Sequence, residues 1–230
     1  MSLWSDQMSY MLDYANTTFG RPTIYQRPGF APFTITGVSE FIDRLEDVST
    51  GQFYSMFYKT SDFNNAPFRA SVTVTFTGIP HAGDTITLGS ITYTAVDTLD
   101  NSTPYQFLRS SSSYGAAANL TLCINADPGG TSFYSTATVA NPDCTAEWSE
   151  ESTFGIIIVS AITPGVSGNL LAASDQMYAC TLDSTLFYGG GPQVNDLITE
   201  TVTNILFRVS DVPLPDPEGG IQIRIEKKAT

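Results

Sequence analysis

The chain opens on a helical pattern. Leu3, Trp4, Met8, Met11, Leu12 and Ala15 recur every three or four residues, and Ser2 or Ser5 is placed to cap the start. This predicts an amphipathic helix over residues 2–19, stopped by Phe19, Gly20 and Pro22. Alternation with period two then takes over. Thr23–Gln26 and Phe33–Val38 read as strands, and Arg27-Pro28-Gly29 between them reads as the turn of a hairpin. Residues 52–58 form a further strand beyond an acidic loop around 43–47. Ser71–Thr77, Thr85–Leu88 and Ile91–Val96 alternate most regularly, with Gly89-Ser90 as a two-residue hairpin turn. Tyr114–Ala126 carries Ala116, Leu120, Cys123 and Ile124 on one stripe and predicts a second short helix. Strands are also expected at 133–139, 144–148, 155–162, 202–209 and 221–225.

The expected class is therefore mainly β with a few short helices, an α+β arrangement. Composition changes near Asn64-Asn65-Ala66-Pro67, where the chain becomes rich in Thr, Ser, Gly and Ala, and Gly189-Gly190-Gly191-Pro192 marks the exit from that region. The expected organisation is a small barrel- or sandwich-like β-domain made from residues 1–66 with 192–230. A Thr-rich α+β domain, residues 67–191, is inserted into it. The Pro- and Gly-dense stretch 213–220 separates the last two strands as a stiff connection.

Charge narrows the function. Ten Lys and Arg against 23 Asp and Glu give a net charge of −13, which excludes the basic surface that holds nucleic acid or anionic lipid. Hydrophobic content of 42% with 14% charged residues describes a packed chain rather than a disordered one. No run approaches the length of a membrane span, and the acidic N-terminus is unlike a secretory signal, so synthesis in a cytoplasm is expected.

Candidate chemistry is sparse. His81 is the single imidazole; it stands in the turn Gly78–Gly83, with no Gly-x-Ser-x-Gly elbow to meet it. Cys123, Cys144 and Cys180 are widely spaced, lack metal-ligand spacing and are odd in number, so they read as reduced, buried thiols. Glu147, Glu150 and Glu151 flank Trp148, a layout that a sugar site uses and that a solvated loop also produces. Glu40, Asp43, Glu46 and Asp47 lack the calcium-loop pattern. Gly-rich segments have no basic partner for phosphate. No catalytic residue, metal ligand or cofactor site is expected, and the chain reads as a non-enzyme.

Five short motifs follow one another in the middle region: Gly83–Ala95 (GDTITLGSITYTA), Ala117–Ala126 (AANLTLCINA), Gly130–Tyr134 (GTSFY), Val139–Asp143 (VANPD) and Ala161–Asn169 (AITPGVSGN). In this order they resemble a domain that recurs in structural proteins of tailed bacteriophages. The ends carry a second likeness. The N-terminal amphipathic segment, FGRPTIYQ at 19–26, TITGV at 34–38 and LFRVSDVPLPDP at 206–217 are similar to segments of phage head–tail joining proteins. In those proteins the last segment follows the first strands closely, whereas here more than a hundred residues intervene, which suggests the insertion.

The resemblance implies a structural neck component of the virion, a homo-oligomeric ring at the head–tail junction between portal or adaptor and tail proteins. DNA would pass through it without specific binding, and no membrane is involved. A capsid decoration or a tail- or fibre-associated protein is the alternative position. Trp4, Met8, Met11, Phe30, Phe33, Phe53 and Phe57 are the candidate assembly-interface residues, and the phenylalanines equally suit the core of a small β-domain.

Overall fold

The computed structural model describes residues 20–40, 53–59, 62–63, 66–149, 154–202, 204–212 and 220–227. The helix expected at 2–19 and the acidic loop at 43–47 lie outside them. The fold is mainly β, and the chain divides into two compact units, residues 1–68 with 191–230 and residues 69–190.

The first unit is a closed six-stranded barrel built from both ends of the chain. The first half supplies β1 (Arg21–Gln26), β2 (Phe33–Glu40) and β3 (Phe53–Lys59). The second half supplies β12 (Leu197–Glu200), β13 (Leu206–Asp211) and β14 (Gly220–Lys227). The halves join twice. Thr23 of β1 lies opposite Glu200 of β12, and Tyr58 of β3 lies opposite Ile221 of β14, both in antiparallel pairs. Alternation explains the lining: Thr23 and Tyr25 are buried while Pro22, Ile24 and Gln26 face out, and Ile221, Ile223 and Ile225 are buried in step. Tyr25, Phe33, Phe63 and Phe68 meet edge-on or tilted at 5.3–6.2 Å, an aromatic core of the kind that adds to area burial.

The inserted unit holds two four-stranded sheets. One runs β10 (Ala173–Asp175), β5 (Thr85–Leu88), β6 (Ile91–Val96), β7 (Gln106–Leu108). The other runs β11 (Cys180–Leu182), β4 (Ser71–Phe76), β9 (Gly155–Ala161), β8 (Cys144–Ser149). All neighbours are antiparallel except β6 with β7. Helix α1 (Ser113–Asn125) packs between them, capped at its start by the Ser112 side chain and ended by Ala126 in the left-handed region. Its buried residues include Ala116, Ala117, Leu120, Cys123 and Ile124, as the stripe requires. The helix comes so close to β9 that a Cβ on Gly155 would lie 2.3 Å from the Ser113 carbonyl, so glycine is obligatory there.

Two expected strands are corrected. Residues 133–139 form turns, with one bridge from Tyr134 to Phe107. There Thr138 N–H donates to Ser135, and the Asn101 and Ser135 side chains accept the N–H groups of Thr136 and Ala137, so local bonds displace a ladder. The strand expected over 202–209 is present but shifted, as β13 at Leu206–Asp211, the second arm of a hairpin with β12. Residues 201 and 202 turn and Asn204 has a positive φ, so β13 begins only at Leu206.

At the mouth of the barrel, Arg27 and Asp196 form a buried ion pair at 3.0 Å. Arg27 also donates to the Gly191 carbonyl and lies 3.7 Å over the Phe68 ring. The Asp196 carboxylate further accepts from Tyr25 O–H and from Gln193 N–H. Breaking one side of such a pair strands a charge in the interior. Arg27→Met and Asp196→Leu, made singly, are each expected to cost about 3–5 kcal/mol. The double variant should cost less than their sum, and urea unfolding of the four proteins as a double-mutant cycle measures this.

Candidate functional site

The residues singled out for chemistry do not converge. His81 is exposed, and its ring stacks on Tyr178 at 4.4 Å rather than meeting a serine or thiol. The arrangement is architectural. The Asp84 carboxylate accepts the backbone N–H groups of both His81 and Tyr178, at 2.7 and 2.8 Å, and so ties two loops together. The three cysteines are buried and unpaired. Burial holds each thiol up at about 12, far from the reactive range. Glu147 lies exposed on β8 and Trp148 makes an edge-on contact with Tyr114, while Glu150 and Glu151 lie outside the described residues. Of the acids considered for calcium, Glu40 ends β2 and the other three lie outside the described residues. Among the described residues no group of three or more His, Cys, Asp and Glu is placed to hold a metal ion.

The interface candidates separate by position. Trp4, Met8 and Met11 lie outside the described residues, as do the side chains of Phe53 and Phe57, whose backbone belongs to β3. Phe33 is half-buried among Tyr25, Phe63 and Phe68. Phe30 differs. It is 42% exposed at the tip of the β1–β2 hairpin, yet its ring is held edge-on against Phe68 at 5.9 Å. A rigid, exposed aromatic side chain loses little entropy when a partner covers it.

A groove of about 490 Å³ runs beside β8, lined by Ile124, Asn125, Ala140, Asn141, residues 144–147 and Ile162. Its amides are committed. Asn141 donates to the Leu88 carbonyl and the Tyr93 hydroxyl and accepts from Asp143 and Cys144 N–H. Asn125 both donates to and accepts from the backbone of Ala146. Elsewhere Asn119 donates to the Leu108 carbonyl, and Asn169 accepts the Gly190 N–H. All four asparagines stand in the motifs that carry the phage resemblance, and all four are spent on holding backbone. Within those motifs the asparagines hold the unit's own fold together.

The inserted unit also lacks a free cation. Its basic residues are Arg69 and Arg109. Arg69 donates to the carbonyls of Ala161 and Ile162, and Arg109 to Asp97 and the Pro80 carbonyl. Both arginine side chains of the unit are thus engaged with its own backbone and with Asp97. Neither family models, nor curated proteins, nor solved structures give a match to this chain.

Sequence reasoning passed over Arg27 and Asp196, since Arg27 reads only as a turn residue and Asp196 lies 169 positions away. It also passed over the work of the motif asparagines. Asn141 before Pro142 and Asn169 after Gly168 offered a turn-like signal, whereas Asn119 and Asn125 within the helix offered none.

Two predictions follow from the buried groups. Removing the Asn141 amide leaves the Leu88 carbonyl, the Tyr93 hydroxyl and two N–H groups short of partners, at about 1–3 kcal/mol for each buried group that stays unsatisfied. Asn141→Ala should therefore destabilise the inserted unit strongly, as read by urea unfolding. For pH, an unfolded thiol titrates near ~8.5 whereas the folded ones sit at about 12. Folding thus favours the protonated form, and the stability this lends is whole below pH ~8.5 and lost as pH rises toward ~12. Burial raises Tyr25, Tyr58 and Tyr93 in the same direction. Urea midpoints should hold steady at neutral pH and fall progressively above pH ~9. Thiol labelling at pH ~8 should require unfolding.

Proposed function

We propose that this chain is a non-enzymatic structural protein of a tailed-phage virion, a neck component that assembles as a homo-oligomeric ring between portal or adaptor and tail. The observation that carries the reading is the architecture of the first unit. Three strands from each end of the chain join at two seams into one closed barrel, and the Thr-rich unit is inserted at a single point, between residues 68 and 191. That is the organisation implied by the terminal segments that resemble head–tail joining proteins and the middle motifs that resemble a phage structural domain.

The physical properties agree with a channel-lining or channel-flanking role. A net charge of −13 repels DNA phosphate rather than gripping it, so a duplex can pass. A closed barrel offers no strand edge for association, so its contacts must use side-chain faces and hairpin tips. Phe30 at the β1–β2 tip is such a contact, and a ring needs one surface to meet a different surface on the neighbour. Among the described residues, the scattered His81, buried thiols and committed asparagines leave no constellation for catalysis.

Electron microscopy of virions carrying a label at the C-terminus tests the proposal. Label confined to the head–tail junction is the expected result. Label over the capsid, along the tail or at its tip would reject the neck position in favour of a decoration, tail or fibre protein. Phe30→Ser should lower the ring fraction of the purified protein, at a folding cost of about 0.5–1.5 kcal/mol from the lost contact with Phe68, whereas Phe30→Leu, which keeps an apolar side chain there, should lose less of either.

A further inference from the structure

The loop at residues 77–84 of the inserted unit is fixed from several directions. Gly83 N–H donates to the Ala95 carbonyl at 2.8 Å, and Arg109 holds the Pro80 carbonyl. Thr77 donates both its N–H and its hydroxyl to the carbonyl of Ala179 on a facing loop. Ala179 stands at φ 55°, in the left-handed region, and a Cβ on Gly78 would lie 2.8 Å from the Ala179 side chain. A residue other than glycine stays in that region only where its surroundings over-determine it, and such positions cluster at pre-organised binding surfaces.

What the two loops present is an aromatic pair. The His81 and Tyr178 rings stack with centroids 4.4 Å apart and planes 8° from parallel, and Tyr178 is 63% exposed, so the pair keeps an open face. Asp84 Oδ2 accepts the backbone N–H of both residues at 2.7 and 2.8 Å, which fixes the carboxylate at the foot of the rings. Its other oxygen, Oδ1, takes no hydrogen bond from any described residue. An open ring face beside an unspent carboxylate oxygen suits a planar cation, since the face attracts the charge and the oxygen accepts an N–H. The surroundings carry the same sign. Residues 69–190 contain ten Asp and Glu against two Arg, and both arginines are bonded within the unit.

We propose that the His81–Tyr178 stack, with Asp84 at its foot, is a docking point for an arginine side chain of a partner protein. Arginine is the cation the geometry favours. A guanidinium lies flat on an aromatic face and donates in its own plane, whereas an ammonium is a strongly hydrated point charge. A nucleic-acid base would also stack, but its phosphates are repelled by the acidic unit. The inference does not rest on the neck reading, which is carried by the barrel unit.

The test uses the full-length protein with isotope-labelled histidine, whose single imidazole signal in NMR reports on His81. The probes are acetyl-Gly-Arg-Gly-amide and the same peptide with lysine or citrulline in place of arginine, titrated at one fixed neutral pH. The arginine peptide should shift the His81 signal saturably, with half-saturation between about 1 and 50 mM. Lysine should bind at least about threefold more weakly, and citrulline, which has the shape without the charge, should leave the signal in place. Tyr178→Leu removes the ring. Asp84→Asn keeps an oxygen for the two backbone N–H groups and replaces the charged one. Each should weaken the arginine peptide by about threefold or more. A response to arginine that never saturates, an equal response to citrulline, or undiminished binding by folded Tyr178→Leu would overturn the proposal. A saturable shift by maltose with none by arginine would overturn it in favour of a sugar platform. Should Asp84→Asn fail to fold, Tyr178→Leu and the citrulline peptide decide.

Discussion

Arg27 bonds to the carbonyl of Gly191 and stacks on Phe68, the residues at which the chain returns to the barrel and leaves it. Its charge is met by Asp196, which in turn takes the Tyr25 hydroxyl and the Gln193 N–H. An ion pair this deeply buried adds little net stability over an apolar filling, because desolvation consumes most of the attraction. Its effect is on geometry. A buried charge bonded to Asp196 and to the Gly191 carbonyl specifies where β1, the exit at Phe68 and the return at Gly191 meet, and a barrel made from distant halves needs that meeting point specified. Closing the loop between residues 68 and 191 costs entropy before any strand of the second half can pair.

The inserted unit solves its specification problem with amides instead of charges. Asn119, Asn125, Asn141 and Asn169 each satisfy backbone groups that no strand or helix reaches. An amide carries a donor and an acceptor at modest desolvation cost, so it can stand in for a missing strand without stranding a charge. This suits a unit whose basic residues are two arginines, both already bonded to carbonyls.

How much was legible follows from the same contrast. Strands that alternate strictly, such as β4 to β6, and the helix with its small-residue stripe stood out because one periodicity served both local structure and burial. The compositional changes near 64–67 and 189–192 fall close to where the two units divide, at 68/69 and 190/191. Three-residue strands β7, β10 and β11 are too short to set up a period, and they exist because long-range partners hold them. Residues 133–139 had the alternation of a strand without a free neighbour to pair with, so serine and asparagine side chains took the backbone bonds. The Arg27–Asp196 pair was invisible for a different reason, since a buried charge has no local pattern and is known only by its partner.

For the candidate surface, the lesson runs the other way. Of the interface candidates, Phe33 is occupied with the core, packed among Tyr25, Phe63 and Phe68. Phe30 is set apart by the hairpin, which carries it past the barrel rim, and by Phe68, which holds its ring in place. Because Phe68 is itself fixed under Arg27, the ion pair within the barrel unit also supports the exposed tip. A surface contact and the barrel's closure thus share one support, so a change that loosens the ion pair reaches the tip as well as the core.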